Sequence, residues 1–157
     1  MTRRKPYKRH AMIRIITIFL LFVLSGCAIF MPRLKIEDVI AEKEAIDKMD
    51  NPAMQYQMLN DIHDKKVIIN DIVVKKVVES SRVDYSFCVL ADIKVNDKDI
   101  ECHIYSHSIN TISKLEKSKT VIDVSGTFER FFSTLDEYYT KIEIIDASIK
   151  IKSNETN

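Results

Sequence analysis

The chain has 157 residues, enough for one domain with short appendages, and its 46% apolar and 30% charged residues are typical of a globular protein. Only two glycines are present, Gly26 and Gly126, which excludes the glycine-rich loops that bind phosphate groups. Residues 1–26 hold six basic residues and no acid, which leaves 18 basic and 23 acidic residues, a net charge of −5, from residue 27 onward. This acidic remainder disfavours a polyanion as its main partner.

The N-terminal segment has the pattern of an export signal. Its basic start is followed by ten uncharged, mostly apolar residues, 15–24. A helix of that length is about 15 Å long, which is about half of the hydrocarbon core of a bilayer. The pattern therefore predicts a secretory signal peptide.

The apolar stretch ends in Leu24-Ser25-Gly26-Cys27. This tetrad resembles the lipobox of bacterial lipoproteins, in which a diacylglyceryl group is attached to the cysteine thiol before the signal is cleaved. The resemblance implies lipidation of Cys27, a signal peptide at 1–26 and a lipid-anchored linker at 27–33. The anchor would rest on at least two acyl chains, the number that stable membrane attachment needs.

An uncleaved membrane anchor is the alternative, because residues 15–31 carry no charge over 17 positions, close to the lower limit for a spanning helix. Both interpretations place residues 33–157 outside the cytoplasm. Ala28 stands where an aspartate would resemble a signal for retention in the inner membrane. In a two-membrane bacterium we therefore expect the periplasmic face of the outer membrane.

Helical spacing of apolar residues follows over 34–50. Asn51 and Pro52 are suited to the N-cap and first position of a second helix, 52–62. Together these helices form a predicted helical arm, 34–64. The methionine-rich side of the second helix has two interpretations: an adaptable binding surface, or packing on the domain that follows, which we favour.

From residue 67 onward β-branched and aromatic residues alternate with polar ones. The pattern predicts a barrel domain over 65–151 and a polar tail over 152–157. Its order is β-β-β-α-β-β, with a short helix within 109–118. The five strands are predicted at 66–79, 84–95, 99–107, 119–131 and 139–151.

Three segments carry a resemblance to a known fold: 100–104, 115–127 and 142–149. Their order and alternation resemble an OB-fold barrel, and more specifically the small bacterial OB domains of the tRNA-anticodon-binding-like family. The fold class is thus mostly β with N-terminal helices and a five-stranded OB-like barrel, which we expect the last strand to close onto the first. OB barrels bind along the second and third strands, between the loops that join strands 1–2 and 4–5.

A turn at 96–98 would pair the second and third strands so that Val95 faces Ile100 and Ile93 faces Cys102. Cys102 would then lie in the core, and Cys88 would face outward near His107. Their offset of about 17 Å along the strands exceeds the ~7 Å that a disulfide permits between Cα atoms. We expect two free thiols.

Two groups of residues on the predicted outer surface are candidates for binding. The third strand offers His103, Tyr105 and His107. The hairpin between the last two strands places aromatic residues around an acidic tip: Phe131, Phe132, Tyr138 and Tyr139. Aromatic residues are enriched in hot spots, which predicts a contact surface for a protein or peptide. Alternatively, two of the four enter the barrel and the others cover its mouth.

No motif with catalytic or metal-binding spacing is present. His103 and His107 are about 13 Å apart on one strand, and Cys88 with His107 would supply only two of the three or four ligands that zinc needs. We expect no enzyme activity, no cofactor and no metal. The sequence predicts a membrane-anchored, non-enzymatic envelope module for a protein or peptide partner. A nucleic-acid-binding module in DNA uptake or transfer is the alternative.

Overall fold

The computed structural model describes residues 33–133 and 139–152. The elements in chain order are β1 (Leu34–Lys35), α1 (Ile36–Asp47), α2 (Pro52–Ile62), β2 (Lys66–Glu79), β3 (Phe87–Val95), β4 (Lys98–Tyr105), α3 (Ile109–Ile112), β5 (Val121–Ser133) and β6 (Tyr139–Ile151). Each predicted strand is present with bounds that agree within three residues. The helix predicted within 109–118 spans only its first four residues. None of the helices in the described ranges combines the length and hydropathy needed to cross a membrane.

Five strands form a closed barrel in the order β2-β3-β4-β6-β5, and β5 returns to pair with β2. Neighbouring strands are antiparallel except β4 and β6, which are parallel. The barrel is therefore the predicted five-stranded OB-like barrel. The prediction that the last strand closes the barrel onto the first was wrong in detail: β5 pairs with β2, while β6 lies between β4 and β5. β5 and β6 form one hairpin. Because the outer edge of β6 pairs with β4, the outer edge of β5 is the one that pairs with β2.

The two N-terminal helices share the hydrophobic core of the barrel. Ile36, Val39 and Ile40 of α1 are fully buried in the same cluster as the inward-facing residues of the strands. Ion pairs from Glu42 to Lys65 and from Glu44 to Lys98, each at 2.9 Å, connect α1 to the barrel. These contacts place α1 at the barrel end where β2 begins and β3 turns into β4.

The start of α2 follows the predicted capping chemistry. The Asn51 side-chain oxygen accepts hydrogen bonds from the backbone nitrogens of Ala53 and Met54 at 3.0 and 3.3 Å. Further along the helix, Met58 and Leu59 pack against the core, whereas Met54 is about half exposed. The packing interpretation therefore holds for the second half of the methionine-rich side.

The turn between β3 and β4 shifts the predicted register by two residues. Asn96 and Asp97 both have positive φ, 50° and 61°, and form a two-residue hairpin loop that pairs Val95 with Lys98. Asn and Asp tolerate this left-handed backbone well, so the three-residue turn that we expected was wrong. A slip of two residues keeps every side chain on its predicted face.

Both remaining cysteines are buried and free. Cys102 lies in the core as expected, but its partner across the strands is Ala91, not Ile93. Cys88 is opposite Tyr105 and is covered, so its expected exposure near His107 was wrong. The two thiols lie on opposite faces of the sheet, which explains why they do not pair.

Candidate functional site

The candidate site is the outer face of β3, β4, β6 and β5. It includes the face of the second and third barrel strands, β3 and β4, along which OB barrels bind. Strand register aligns one row of side chains across this face: Leu90, His103, Glu143 and Arg130. The loop 80–86, which joins β2 to β3, folds over the same face. It is held by Ser80, whose backbone nitrogen donates to the Ser86 carbonyl at 3.1 Å.

Glu143 is the centre of this face and is only 2% exposed. Its Oε2 accepts hydrogen bonds from Arg82 Nη1 at 3.0 Å and Arg130 Nε at 2.7 Å, and its Oε1 accepts from the Tyr105 hydroxyl at 3.2 Å. Arg82 Nη2 also donates to Glu129 at 3.1 Å. A buried carboxylate needs such compensation, because desolvation of an unpaired charge is costly. We call these five residues the Glu143 network.

An aromatic cluster adjoins the Glu143 network. The Tyr85 ring lies 5.4 Å from the Tyr105 ring and stacks on His107 at 4.5 Å, measured between centroids. The Tyr85 hydroxyl donates to Asp146 Oδ1 at 2.7 Å. Burial raises the pKa of Tyr105 to about 12 and also raises that of Tyr85. Both phenols therefore stay protonated at neutral pH and serve as hydrogen-bond donors.

The other half of the face is a charged group around Glu101. Its carboxylate lies 2.9 Å from His103 Nε2, 3.0 Å from Lys75 Nζ and 3.5 Å from Lys141 Nζ. The hydrogen bond to His103 and then the one to Lys75 lower the pKa of Glu101 to about 2. Phe132 borders this group, with its ring centroid 6.0 Å from that of His103.

The structure brings together four of the predicted site residues: His103, Tyr105, His107 and Phe132. Of these, Tyr105 is buried beneath Arg82, whose guanidinium carbon is 5.6 Å from the ring centroid. Phe132 is partly exposed, and its centroid is 4.7 Å from the Arg130 guanidinium carbon.

Phe131 packs against the core, where its ring is tilted by 53° against that of Phe128 with the centroids 4.6 Å apart. Of the two neighbours Phe131 and Phe132, the first therefore packs against the core and the second lies on the outer face. The alternative, in which two of the four aromatic residues enter the barrel and the others cover its mouth, stays a prediction. Cys27 and Tyr138 lie outside the described residues, and the side chain of Tyr139 does as well.

The Glu143 network was not predicted from the sequence. Arg82 and Glu143 are 61 positions apart, so no local spacing connects them. A register shift between Phe128 and Arg130 inserts Glu129 as an extra residue of β5 and directs the arginine toward Glu143. Such bulges are set by the three-dimensional pairing of strands and have no reliable signature in a single sequence.

No protein-family model and no curated protein matches this chain. The interpretation of the site therefore rests on its own chemistry.

The buried thiols should be unreactive in the folded chain. Burial raises the pKa of Cys88 to about 11 and raises that of Cys102 further, and only the thiolate is nucleophilic. In a Cys27→Ser variant, we expect no reaction with a disulfide reagent at pH 8 under native conditions and two equivalents of reaction after unfolding. Rapid reaction of either thiol in the folded chain would contradict the burial of Cys88 and Cys102.

Acid should reduce the contribution that the Glu101 carboxylate makes to the stability of the folded chain. The folded chain holds the pKa of Glu101 at about 2 against an ordinary 4.5, so its stabilising contribution is complete above 4.5 and is lost as the pH falls toward 2. We expect the free energy of unfolding to decrease over this range in the parent and to decrease less in Glu101→Gln. Parallel curves for the two proteins, from urea unfolding at a series of pH values, would show that Glu101 is not linked to folding.

Proposed function

We propose that this chain is a lipoprotein of a bacterial cell envelope whose barrel binds a protein or peptide without catalysing a reaction. Support for the anchor comes from the basic start, the apolar stretch 15–24 and the lipobox-like tetrad that ends at Cys27. Acylation would keep residues 33–157 at a membrane surface outside the cytoplasm. In a two-membrane bacterium, Ala28 favours the periplasmic face of the outer membrane.

The observation that carries the binding proposal is the neutralised outer face of the barrel. Several of its basic side chains meet carboxylates: Lys75 contacts Asp92 and Glu101, and the two arginines of the Glu143 network share Glu143. A single-stranded nucleic acid needs cations that are available for phosphates, together with aromatic platforms for bases. Paired charges of both signs beside an aromatic residue suit the polar rim and hot spots of a protein interface instead.

The chemistry of the face also supports a non-enzymatic role. Catalytic nucleophiles and bases need a pKa that makes them active near neutral pH. Here burial raises the pKa of Cys88 to about 11 and that of Tyr105 to about 12, while hydrogen bonding lowers the pKa of Glu101 to about 2. Each of these shifts makes proton transfer or nucleophilic attack at neutral pH less favourable.

Metabolic labelling with a radioactive fatty acid tests the anchor. We expect the parent chain and a Cys88→Ser control to incorporate label and Cys27→Ser to incorporate none. The control removes a different thiol and leaves the tetrad intact. Labelling of Cys27→Ser at the parental level would refute lipidation at this residue.

Site-specific photocrosslinking in intact cells tests the binding surface. A photoreactive amino acid in place of His103 should give a discrete adduct with a protein or peptide. The same reagent in place of Tyr56, which is 70% exposed on α2, should give none. Crosslinks to DNA or RNA from position 103 would instead favour the alternative of a nucleic-acid-binding module.

A further inference from the structure

We infer that His63, Asp64 and Glu129 form a binding site for a divalent transition-metal ion such as Zn²⁺. One ligand atom from each residue lies within 4.8 Å of the other two. His63 Nδ1 is 3.0 Å from Asp64 Oδ2, and His63 Nε2 is 3.6 Å from Glu129 Oε2. An imidazole nitrogen with two carboxylate oxygens is a donor set for zinc and its neighbours, whereas calcium and magnesium prefer oxygen ligands alone.

The backbone holds the segments that supply these ligands against each other. Asp64 N donates to the Phe128 carbonyl at 3.0 Å, and Phe128 N donates to the Lys65 carbonyl at 2.9 Å. Glu129 follows Phe128 as the extra residue of the β5 bulge. The connection after α2 and the bulge therefore form one hydrogen-bonded unit, which fixes the backbone from which the three ligands project.

The nearby Arg82 does not cancel the negative charge of the three-residue group. Arg82 Nη2 contacts Glu129 Oε1 at 3.1 Å, while the other oxygen of that carboxylate faces His63. Glu129 can thus bridge the guanidinium and a metal ion through different oxygens. The charge of Arg82 is also met by Glu143, so the Asp64 carboxylate adds negative charge that the arginine does not cancel.

The other described histidines provide matched controls. His103 is paired with Glu101 at 2.9 Å, and His107 is paired with Asp146 at 3.5 Å. Neither belongs to a group of three such ligands within residues 33–133 and 139–152. If proximity of one imidazole and one carboxylate were sufficient, these pairs would bind the ion as well as His63 does.

The test is a Zn²⁺ titration of the full-length chain in detergent, without an affinity tag and with His10→Ala in every variant. We expect one saturable Zn²⁺ site by calorimetry, weakened by about tenfold or more in His63→Ala and in Asp64→Asn, and unchanged in His107→Ala. In NMR spectra, Ni²⁺ should broaden the ring signals of His63 before those of His103 and His107. Ca²⁺ should compete poorly.

A circular-dichroism spectrum and a melting curve establish that His63→Ala is folded, which the half-exposed position of this side chain favours. Parental affinity in a folded His63→Ala would overturn the proposal, as would equal losses in His63→Ala and His107→Ala. Lack of saturable binding by the parent at millimolar Zn²⁺ would also overturn it.

Discussion

Replacing both Arg82 and Arg130 by methionine should lower the free energy of unfolding by about 3–5 kcal/mol, the loss typical when a buried charge is deprived of its partners. Glu143, at 2% exposed, would keep only the Tyr105 hydroxyl at 3.2 Å as its hydrogen-bond partner in the Glu143 network. Methionine preserves much of the apolar volume of arginine, so the change isolates the loss of charge. Urea unfolding of the parent and the double variant measures the difference.

A third substitution separates electrostatics from packing. Glu143→Leu in the same double variant removes the unpaired carboxylate and should recover most of the lost stability. A well-packed apolar replacement of a buried ion pair is often neutral. Lys75→Met is the control for an exposed ion pair and should change stability little. A triple variant no more stable than the double variant would show that the unpaired Glu143 carboxylate does not cause the loss of stability.

Gly126→Ala should be the most damaging single-methyl addition in the barrel. A Cβ at this position would lie 2.6 Å from Ile144 Cγ2, 2.8 Å from the Ile145 carbonyl oxygen and 3.2 Å from Ala147 Cα. Two of these neighbours are backbone atoms of β6, so a side-chain rotation cannot relieve the overlap. We expect a loss of about 1–3 kcal/mol, the usual cost of overpacking, although alanine would otherwise suit a strand better than glycine.

The control for this variant is Ser125→Ala, one residue earlier in β5, which adds no atom and should leave the melting temperature nearly unchanged. The comparison is decisive because both positions belong to the same strand and face the same hairpin partner, β6. A melting temperature of Gly126→Ala equal to that of the parent would contradict the close approach of β5 and β6.

The strands could be predicted from the sequence because β-branched residues concentrate in them. A bulge between Ile69 and Ile72 interrupts the alternation in β2, but Val and Ile continue on both sides of it, so the bounds 66–79 and 139–151 of β2 and β6 were predicted correctly. The register between β3 and β4 was not, because either a two-residue or a three-residue turn fits Asn96-Asp97-Lys98. Only the left-handed backbone at both Asn96 and Asp97 decides between them.

The candidate site was harder to predict than the fold. Alternation identified His103 and Tyr105 as outward-facing, but it carried no information on what covers them. The loop residue Arg82 reaches across the face to Glu143, and this contact buries Tyr105. Likewise, the proposed metal ligands come from two distant segments, since His63 and Asp64 follow α2 and Glu129 is the extra residue of the β5 bulge, so sequence spacing could not identify them.

The proposed lipid on Cys27, which would anchor this barrel outside the cytoplasm, is tested by intact-mass spectrometry of the chain purified from the membrane fraction. We expect a protein that lacks residues 1–26 and whose mass exceeds that of residues 27–157 by a diacylglyceryl group, with or without an additional acyl chain. An unmodified chain of 157 residues in the cytosolic fraction would contradict it.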